Sequence, residues 1–523
     1  MAAEDVRGWR NPVLVAIVVS FIASRLIALV FNRDPWLDEA MLLANMPLSD
    51  VAALFRPLPL YEQASPLGYT WLLSLLVNAM PGEPVLAGRL LSACASLCAG
   101  AALYLTVRRA FPAYLIPMIL ALALLTPYAV RFGTEIKHYE FELLSTTLMA
   151  FGAYRTSEKA SISNLAIFAG ACLFGILFSF TAPISIAACG AGILFSVGGR
   201  TLLSGRPKRL LVAAGAAGLI VVTAFVAYYL MFTKPVSATQ FAAYAYQYEP
   251  NLLDLPPRSA SEAVEWLDFP MFLFQLFGLH QEEVASRFNP AIRIPLGGII
   301  FLLTAFGVAR LWVTARFFSA ACGAAVVIVY LMGALRLLPF IYARHFISLI
   351  PILAVPLAVG VSEALRWLTR DRIRVPAMSS AVALAVAMTG LIAVFFLPEL
   401  DASTPVARYA QQSAGAPIWI SPQLQPTLRN IAPSMKYLGE VDPRSTSEGW
   451  RSRFRRQLSP GRTVVRPDYV ASFAEAVRKY PTLWILTREK TLQLPERAEH
   501  LGKSCALQEA HERLILYRCS SSK

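Results

Sequence analysis

PLGYTWLLSLLVNAM, residues 66–80, is the stretch on which the topology turns. It is apolar, but its 15 residues fall short of the roughly 20 that a helix needs to cross a bilayer. Arg7 and Arg10 precede the first apolar run, Val13 to Phe31, and set the N-terminus in the cytoplasm by the positive-inside rule. That run is too long for the apolar core of a signal peptide and reads as the first span. If 66–80 also spans, then Arg108/Arg109, Arg155/Lys159 and the cluster Arg206 to Arg209 all fall outside, on the wrong side. If 66–80 is a juxtamembrane helix that stays outside, these clusters, Arg310/Arg316 and Arg366 to Arg374 all become cytoplasmic.

The second threading predicts eleven spans: roughly 12–31, 86–107, 112–130, 139–155, 163–180, 182–198, 209–232, 291–314, 317–338, 343–366 and 376–397. Four segments then lie outside: 32–85, 131–138, 233–290 and 336–344. Composition agrees. Of 523 residues 56% are hydrophobic and 15% charged, where soluble domains run near 25% charged. The net charge of +14 is carried largely by short loops between spans. No zinc-finger spacing and no basic stripe interleaved with aromatics points to nucleic acid.

Carboxylates and cations recur in the outside segments. NRDPWLDEAMLLANM (32–46) carries Asp34, Asp38 and Glu39 just beyond the first span. They read either as solvated loop acids or as a general base for an acceptor hydroxyl. RFGTEIKHYEFE (131–142) carries Arg131, Glu135, Lys137, His138 and Tyr139; RLLPFIYARHF (336–346) carries Arg336, Arg344 and His345. Positive residues in short outside loops run against the topological rule. They read either as snorkelling side chains or as ligands of an anion such as a lipid phosphate. Arg25, near the outer end of the first span, has the same two readings. In the long loop Tyr244, Tyr246 and Tyr248 alternate, as an interfacial aromatic helix or as a lid over a substrate or acceptor. A base and several cations on one membrane face are what sugar transfer from a lipid-linked phosphate requires.

With these pieces in hand, the chain resembles the polytopic GT-C glycosyltransferases, family 39 and its relatives, which include protein O-mannosyltransferases and lipid A aminoarabinose transferases. The resemblance rests on WLDEA (36–40), YEQASPLGYTWLL (61–73), AGRLLSACAS (87–96), TEIKHYEFELL (134–144) and YARHFISLIP (342–351), in that order. It is best over the first 150 residues, thins through the middle and returns near 342. It implies an α-helical GT-C membrane fold with juxtamembrane helices after the first span. The implied activity is inverting transfer of a hexosyl or pentosyl unit from a polyprenyl phosphate to an extracytoplasmic lipid, glycan or protein. It makes Asp38 and Glu39 catalytic, and Lys137 and Tyr139 contacts of the donor phosphate. Members acting on lipid A often carry a basic residue before the proline matching Pro66. Gln63, Ala64 and Ser65 stand there instead, which leaves Lys137, Arg344, His345 and Arg25 for the phosphate. Some relatives bind a divalent ion. A metal stays open here, with no His/Cys cluster to hold it and no other cofactor implied.

Residues 1–397 are expected to form the transmembrane catalytic domain and 398–523 a small α/β domain outside. In the latter, APIWISPQ and PTLWILTRE read as strands and VASFAEAVRKYP as a helix. SCALQEAHERLILYRC (504–519) reads as a hairpin that would set Cys505 opposite Cys519, in reach of a disulfide in an oxidising compartment. The localisation expected is the bacterial inner membrane, with the site and the tail periplasmic. A transporter or lipid flippase without covalent chemistry is the alternative, against which stands the absence of a repeated half.

Overall fold

The computed structural model describes residues 11–46, 55–61, 63–203, 208–238, 276–277, 290–335, 343–369, 374–396, 403–413, 415–421, 424–425, 427–428, 435–438, 467–488, 494–511 and 514–521. Helix α1 is Pro12–Phe31. Asn11 starts it by accepting the N–H groups of Val13 and Leu14, and Asn32 ends it in the left-handed region at φ 34°, where Asn is among the few residues tolerated. Two short helices follow, α2 (Leu37–Leu43) and α3 (Leu67–Ala79), which join the main apolar core through Leu42, Leu43, Tyr69 and Leu73. The stretch that decided the threading is therefore a helix of 13 residues, about 20 Å long at 1.5 Å per residue. That is too short for a hydrocarbon core of about 30 Å. Its first N–H is accepted by the Tyr228 hydroxyl at 3.1 Å, and Gly68 lies against the Phe178 ring with no room for a Cβ.

The remaining helices are α4 (Pro84–Ala110), α5 (Ile116–Leu124), α6 (Pro127–Phe132), α7 (Tyr139–Glu158), α8 (Ile162–Phe178), α9 (Ala182–Leu203), α10 (Lys208–Tyr228), α11 (Pro290–Thr314), α12 (Arg316–Ala334), α13 (Ile350–Thr369) and α14 (Arg374–Ala393). A 3-10 turn, Ala343–Leu349, leads into α13. Helix thus occupies every segment predicted to span. Seven helices among the described residues are long and apolar enough to cross a membrane, and the protein is a multi-pass membrane protein.

The third predicted span, 112–130, is not one helix. It breaks at Leu125, where Thr126 and Pro127 restart the chain as α6. Proline disfavours helix in the residue before it and suits the first helical position. Every residue of α5 and α6 is buried. Such broken backbone at membrane depth is tolerated where protein covers it. Elsewhere the bundle closes through glycine: a Cβ at Gly307 on α11 or Gly360 on α13 would collide with the carbonyls of Pro356 or Leu303. The two helices approach to backbone contact, as small residues allow in membranes.

The C-terminal part holds helix α15 (Ser403–Gln412), strand β1 (Ile418–Ile420), helix α16 (Pro467–Lys479), β2 (Thr482–Arg488), helix α17 (Leu494–His500), β3 (Lys503–His511) and β4 (Leu514–Ser521). The sheet order is β1-β2-β4-β3, with β1 parallel to β2 and the rest antiparallel. This is the small α/β domain expected. Cys505 and Cys519 are register partners and form a disulfide with Cα atoms 4.0 Å apart. Side chains alternate across a strand, so each face has its own core. Leu483 and Ile485 pack with Trp419, Phe473 and Val477 on one face. Trp484 and Leu486 pack with Ile418, Ile420, Leu514 and Leu516 on the other. Trp36, from the loop after α1, packs against this second face.

Candidate active site

Three segments meet at the outer end of the bundle: α2 with its preceding loop, the loop between α6 and α7, and the 3-10 turn before α13. Asp38, in the first turn of α2, is partly open to solvent, with its side chain 27% exposed. Its Oδ2 lies 3.4 Å from Nη1 of Arg344, from the 3-10 turn. The two are 306 residues apart in the chain.

Glu39 points the other way and is fully buried. Oε2 accepts the Trp36 N–H at 2.7 Å, and Oε1 accepts the Ile136 N–H at 2.8 Å. Nη2 of Arg89 on α4 lies 3.9 Å from Oε2, and Nη1 of Arg89 donates to Oδ1 of Asn32 at 3.2 Å. Adjacent residues on a helix point about 100° apart, which is why the acidic pair divides into one solvent-facing and one inward carboxylate. Glu39 is expected to be catalytic with Asp38; in the structure its oxygens join the first loop to the second. For the same reason Asp38–Glu39 does not fit a divalent ion. Among the described residues no group of three or more His, Cys, Asp or Glu converges as for a metal.

Lys137 is buried beside them, its Nζ donating to Oε1 of Gln63 at 2.7 Å. Burial pulls its amine below the usual range, Arg344 adds to this, and Asp38, Glu135 and Glu39 oppose it. Glu135 lies 3.5 Å from Arg131. Burial pushes its carboxyl up to about 7, Arg131 and Arg344 counter, and Glu39 and Asp38 add to the rise. His138 is driven down to about 3 by burial and by Lys137, His345 and Arg344, with its Nε2 3.7 Å from Glu142. His345 is half-buried beside this group. Tyr139 is buried with its ring edge-on to Phe132, centroids 4.8 Å apart.

Asp38, Lys137, Arg344 and His345 are thus brought together from distant parts of the chain. Arg25 is not brought there: it is buried inside the bundle, over the Phe21 ring at 4.6 Å. Its guanidinium donates to Ser96 Oγ, Ser24 Oγ and the carbonyls of Leu124 and Ala129. Leu124 is the last residue of α5, where carbonyls run out of helical partners, and Ala129 lies in α6, its carbonyl also accepting the Gly133 N–H. Arg25, expected at the donor phosphate, is instead engaged with Ser24, Ser96 and the carbonyls on either side of the helix break. Tyr244, Tyr246, Tyr248, Arg336 and the basic run Arg451 to Arg456 lie outside the described residues.

Three contributors were not assigned from sequence. Arg89 had a readable signal, an arginine within an apolar run, which is rare in a span unless partnered. Gln63 stood where a cation was expected and instead holds one. Trp36 carried no signal that sets it apart from an interfacial aromatic.

Two crystal structures of ArnT from Cupriavidus metallidurans, one in the apo state and one bound to undecaprenyl phosphate, align with this chain. Each alignment covers 98% of both chains at 13% identity, with TM-scores of 0.54 and 0.55. A crystal structure of the Archaeoglobus fulgidus oligosaccharyltransferase in complex with Zn and sulfate aligns over 79% of this chain and 61% of its own, at 12% identity and a TM-score of 0.41. No protein-family model matches the sequence, and no curated protein does. At this level of identity the likeness to ArnT is one of fold, and it is the GT-C fold expected from the sequence.

Proposed function

From an ArnT-like fold spanning nearly the whole chain, we propose that the protein is a glycosyltransferase that moves a sugar from a polyprenyl phosphate to an extracytoplasmic acceptor. The observation that carries the reading is the convergence of partly exposed Asp38 with Arg344 and with buried Lys137. Asp38 takes the proton of the acceptor hydroxyl. The acceptor oxygen bonds to the anomeric carbon, and the bond to the phosphate oxygen breaks, its electron pair leaving with the phosphate. A single displacement of this kind inverts the anomeric centre. Arg344 and Lys137 neutralise the departing charge with groups already in place. An incoming phosphate also returns to Lys137 the stabilisation of its ammonium that burial removes.

A bound undecaprenyl phosphate in one ArnT structure supports a polyprenyl phosphate as the donor lipid here. The Cys505–Cys519 disulfide supports an oxidising compartment for the α/β domain, hence a periplasmic side in a bacterial inner membrane. The division into 1–397 and 398–523 belongs to this reading, as does a lid role for Tyr244, Tyr246 and Tyr248.

The test uses purified protein in nanodiscs with polyprenyl-phosphate sugars and lipid, glycan and protein acceptors. Asp38→Asn is expected to lose turnover by about 100-fold or more while still binding donor; full turnover in this variant would remove Asp38 as the base. Lys137→Ala is expected to weaken donor binding about tenfold or more, on the scale of a lost charge-assisted contact. Unchanged affinity would take Lys137 out of the phosphate site.

A further inference from the structure

The Lys137 ammonium is buried, and among the described residues it makes one hydrogen bond, to Oε1 of Gln63 at 2.7 Å. An ammonium has three donors, so two N–H groups are left over where water scarcely reaches. Asp38 and Glu39 on α2, Glu135 on the same loop and Arg344 on the 3-10 turn act on it through their charges, and His138 is its neighbour in the chain. Among the described residues none of the three carboxylates closes on Nζ as an ion pair. Gln63 in turn is held in one orientation. Its Nε2 donates to the Tyr61 carbonyl and to Sδ of Met41, both at 3.4 Å, which turns Oε1 to Lys137. Tyr61 stands in the left-handed region at φ 59°. A bulky residue rarely adopts that conformation, and it persists only where the surroundings impose it. Here Asn45, just past α2, accepts the Leu60 N–H at 2.9 Å and donates to the Leu60 carbonyl at 3.0 Å. Tyr61 itself is buried against Met41.

We propose that Gln63 is a positioning residue for the donor phosphate: an uncharged acceptor, oriented by the Tyr61 turn, it holds the Lys137 ammonium with its charge uncancelled and two N–H groups left for the phosphate. A carboxylate at this place would pair with the ammonium and use up its charge, and a second cation would repel it. A neutral amide does neither. Its hydrogen bond favours the charged form of the amine, against the burial that disfavours it. The strained turn at Tyr61 then has a purpose, which is to present the oxygen of the Gln63 amide to Lys137 rather than its nitrogen.

The inference rests on the transferase reading in taking Lys137 as a ligand of the donor phosphate, and the experiment separates the two. Full-length protein in nanodiscs is compared as wild type, Gln63→Glu, Gln63→Met and Lys137→Ala. Acetic anhydride labelling at graded pH, read by mass spectrometry on the peptide carrying Lys137, follows the titration of its amine with no donor present. Binding of undecaprenyl phosphate is measured alongside. Gln63→Glu should move the inflection of the amine up by about one pH unit or more, because an opposite charge now faces it. Gln63→Met, similar in size and without an oxygen, should move it down by about as much, because the ammonium loses its acceptor. At about pH 7 the affinity of Gln63→Glu for undecaprenyl phosphate should fall about tenfold or more, on the scale of a lost charge-assisted contact. An inflection that stays in place in both variants would overturn the proposal. A shift in the same direction in both would overturn it too, because that is the mark of a collapsed site and not of charge at one position. So would affinity lost in Lys137→Ala but kept in Gln63→Glu. Affinity kept in both of these would instead take Lys137 out of the phosphate site and sink the donor reading, while the labelling still decides what Gln63 does to the amine.

Discussion

The two ends of the bundle treat charge in opposite ways. At the inner end, Glu363 on α13 accepts Arg366 at 2.8 Å and Arg310 on α11 at 3.3 Å, with the arginines 33% and 47% exposed. At the outer end, Arg89–Glu39 and Arg131–Glu135 are 3% exposed or less, and Lys137 is buried beside them. The charges at the first end are partly exposed and keep contact with water. Those at the outer end have been taken out of water at a desolvation penalty that ion pairing does not always repay. What offsets it is a set of backbone and side-chain contacts that fixes Asp38, Lys137 and Arg344 relative to one another.

The comparison can be broken at its strongest point first. Glu39→Ala leaves Arg89 and the N–H groups of Trp36 and Ile136 buried without their carboxylate. The expected loss is about 3–5 kcal/mol of stability, read as a lower SDS-unfolding midpoint of the purified protein. A loss under about 1 kcal/mol would show that the outer network is no more consequential than a surface pair.

A smaller effect is expected in the pH response. The Glu135 carboxyl is raised from the ordinary 4.5 to about 7, so the folded protein binds a proton there that the unfolded chain has released. This contribution is fully present below about 4.5 and is lost as pH rises through about 7. His138, lowered from 6.5 to about 3, acts in the opposite sense: its contribution is present above 6.5 and is lost as pH falls through about 3. Wild type carries both, so the difference between Glu135→Gln and wild type isolates the first. The melting temperature of the variant minus that of wild type should rise from pH 4.5 to 7. A flat difference would mean that Glu135 is not held protonated.

The smallest effect belongs to the inner end. Arg310→Ala removes one half-exposed partner of Glu363 and leaves Arg366 in place. It should shift stability by no more than about 1 kcal/mol, and turnover should stay at the wild-type level. A loss approaching that of Glu39→Ala would erase the contrast between the two ends.

Much of this could be read without coordinates. The positive-inside rule, applied to short loops, removed 66–80 as a span and set the acids and cations of the outer segments on one face. The alternation around Cys505 and Cys519 located the hairpin and its disulfide. The breaks in reading have physical causes. Thr126–Pro127 lies in an apolar run, and hydropathy does not register that proline ends a helix there. Arg25 and Lys137 look alike as cations near the outer surface, yet one turns to the carbonyls of a broken helix and the other to Gln63. In one dimension nothing distinguishes them.

The sequence by itself determined the membrane-spanning architecture, the small α/β tail and the acid after the first span, because these follow from run length, loop charge and short-range periodicity. The tertiary structure alone decided which of two adjacent carboxylates faces the site, which cation stands beside it and what holds the loop in place. Asp38 meets Arg344 across 306 positions, and Trp36 packs against an apolar cluster drawn from residues 418–516. Side-chain direction and long-range packing settle such pairings, and neither leaves a period or a spacing in the chain.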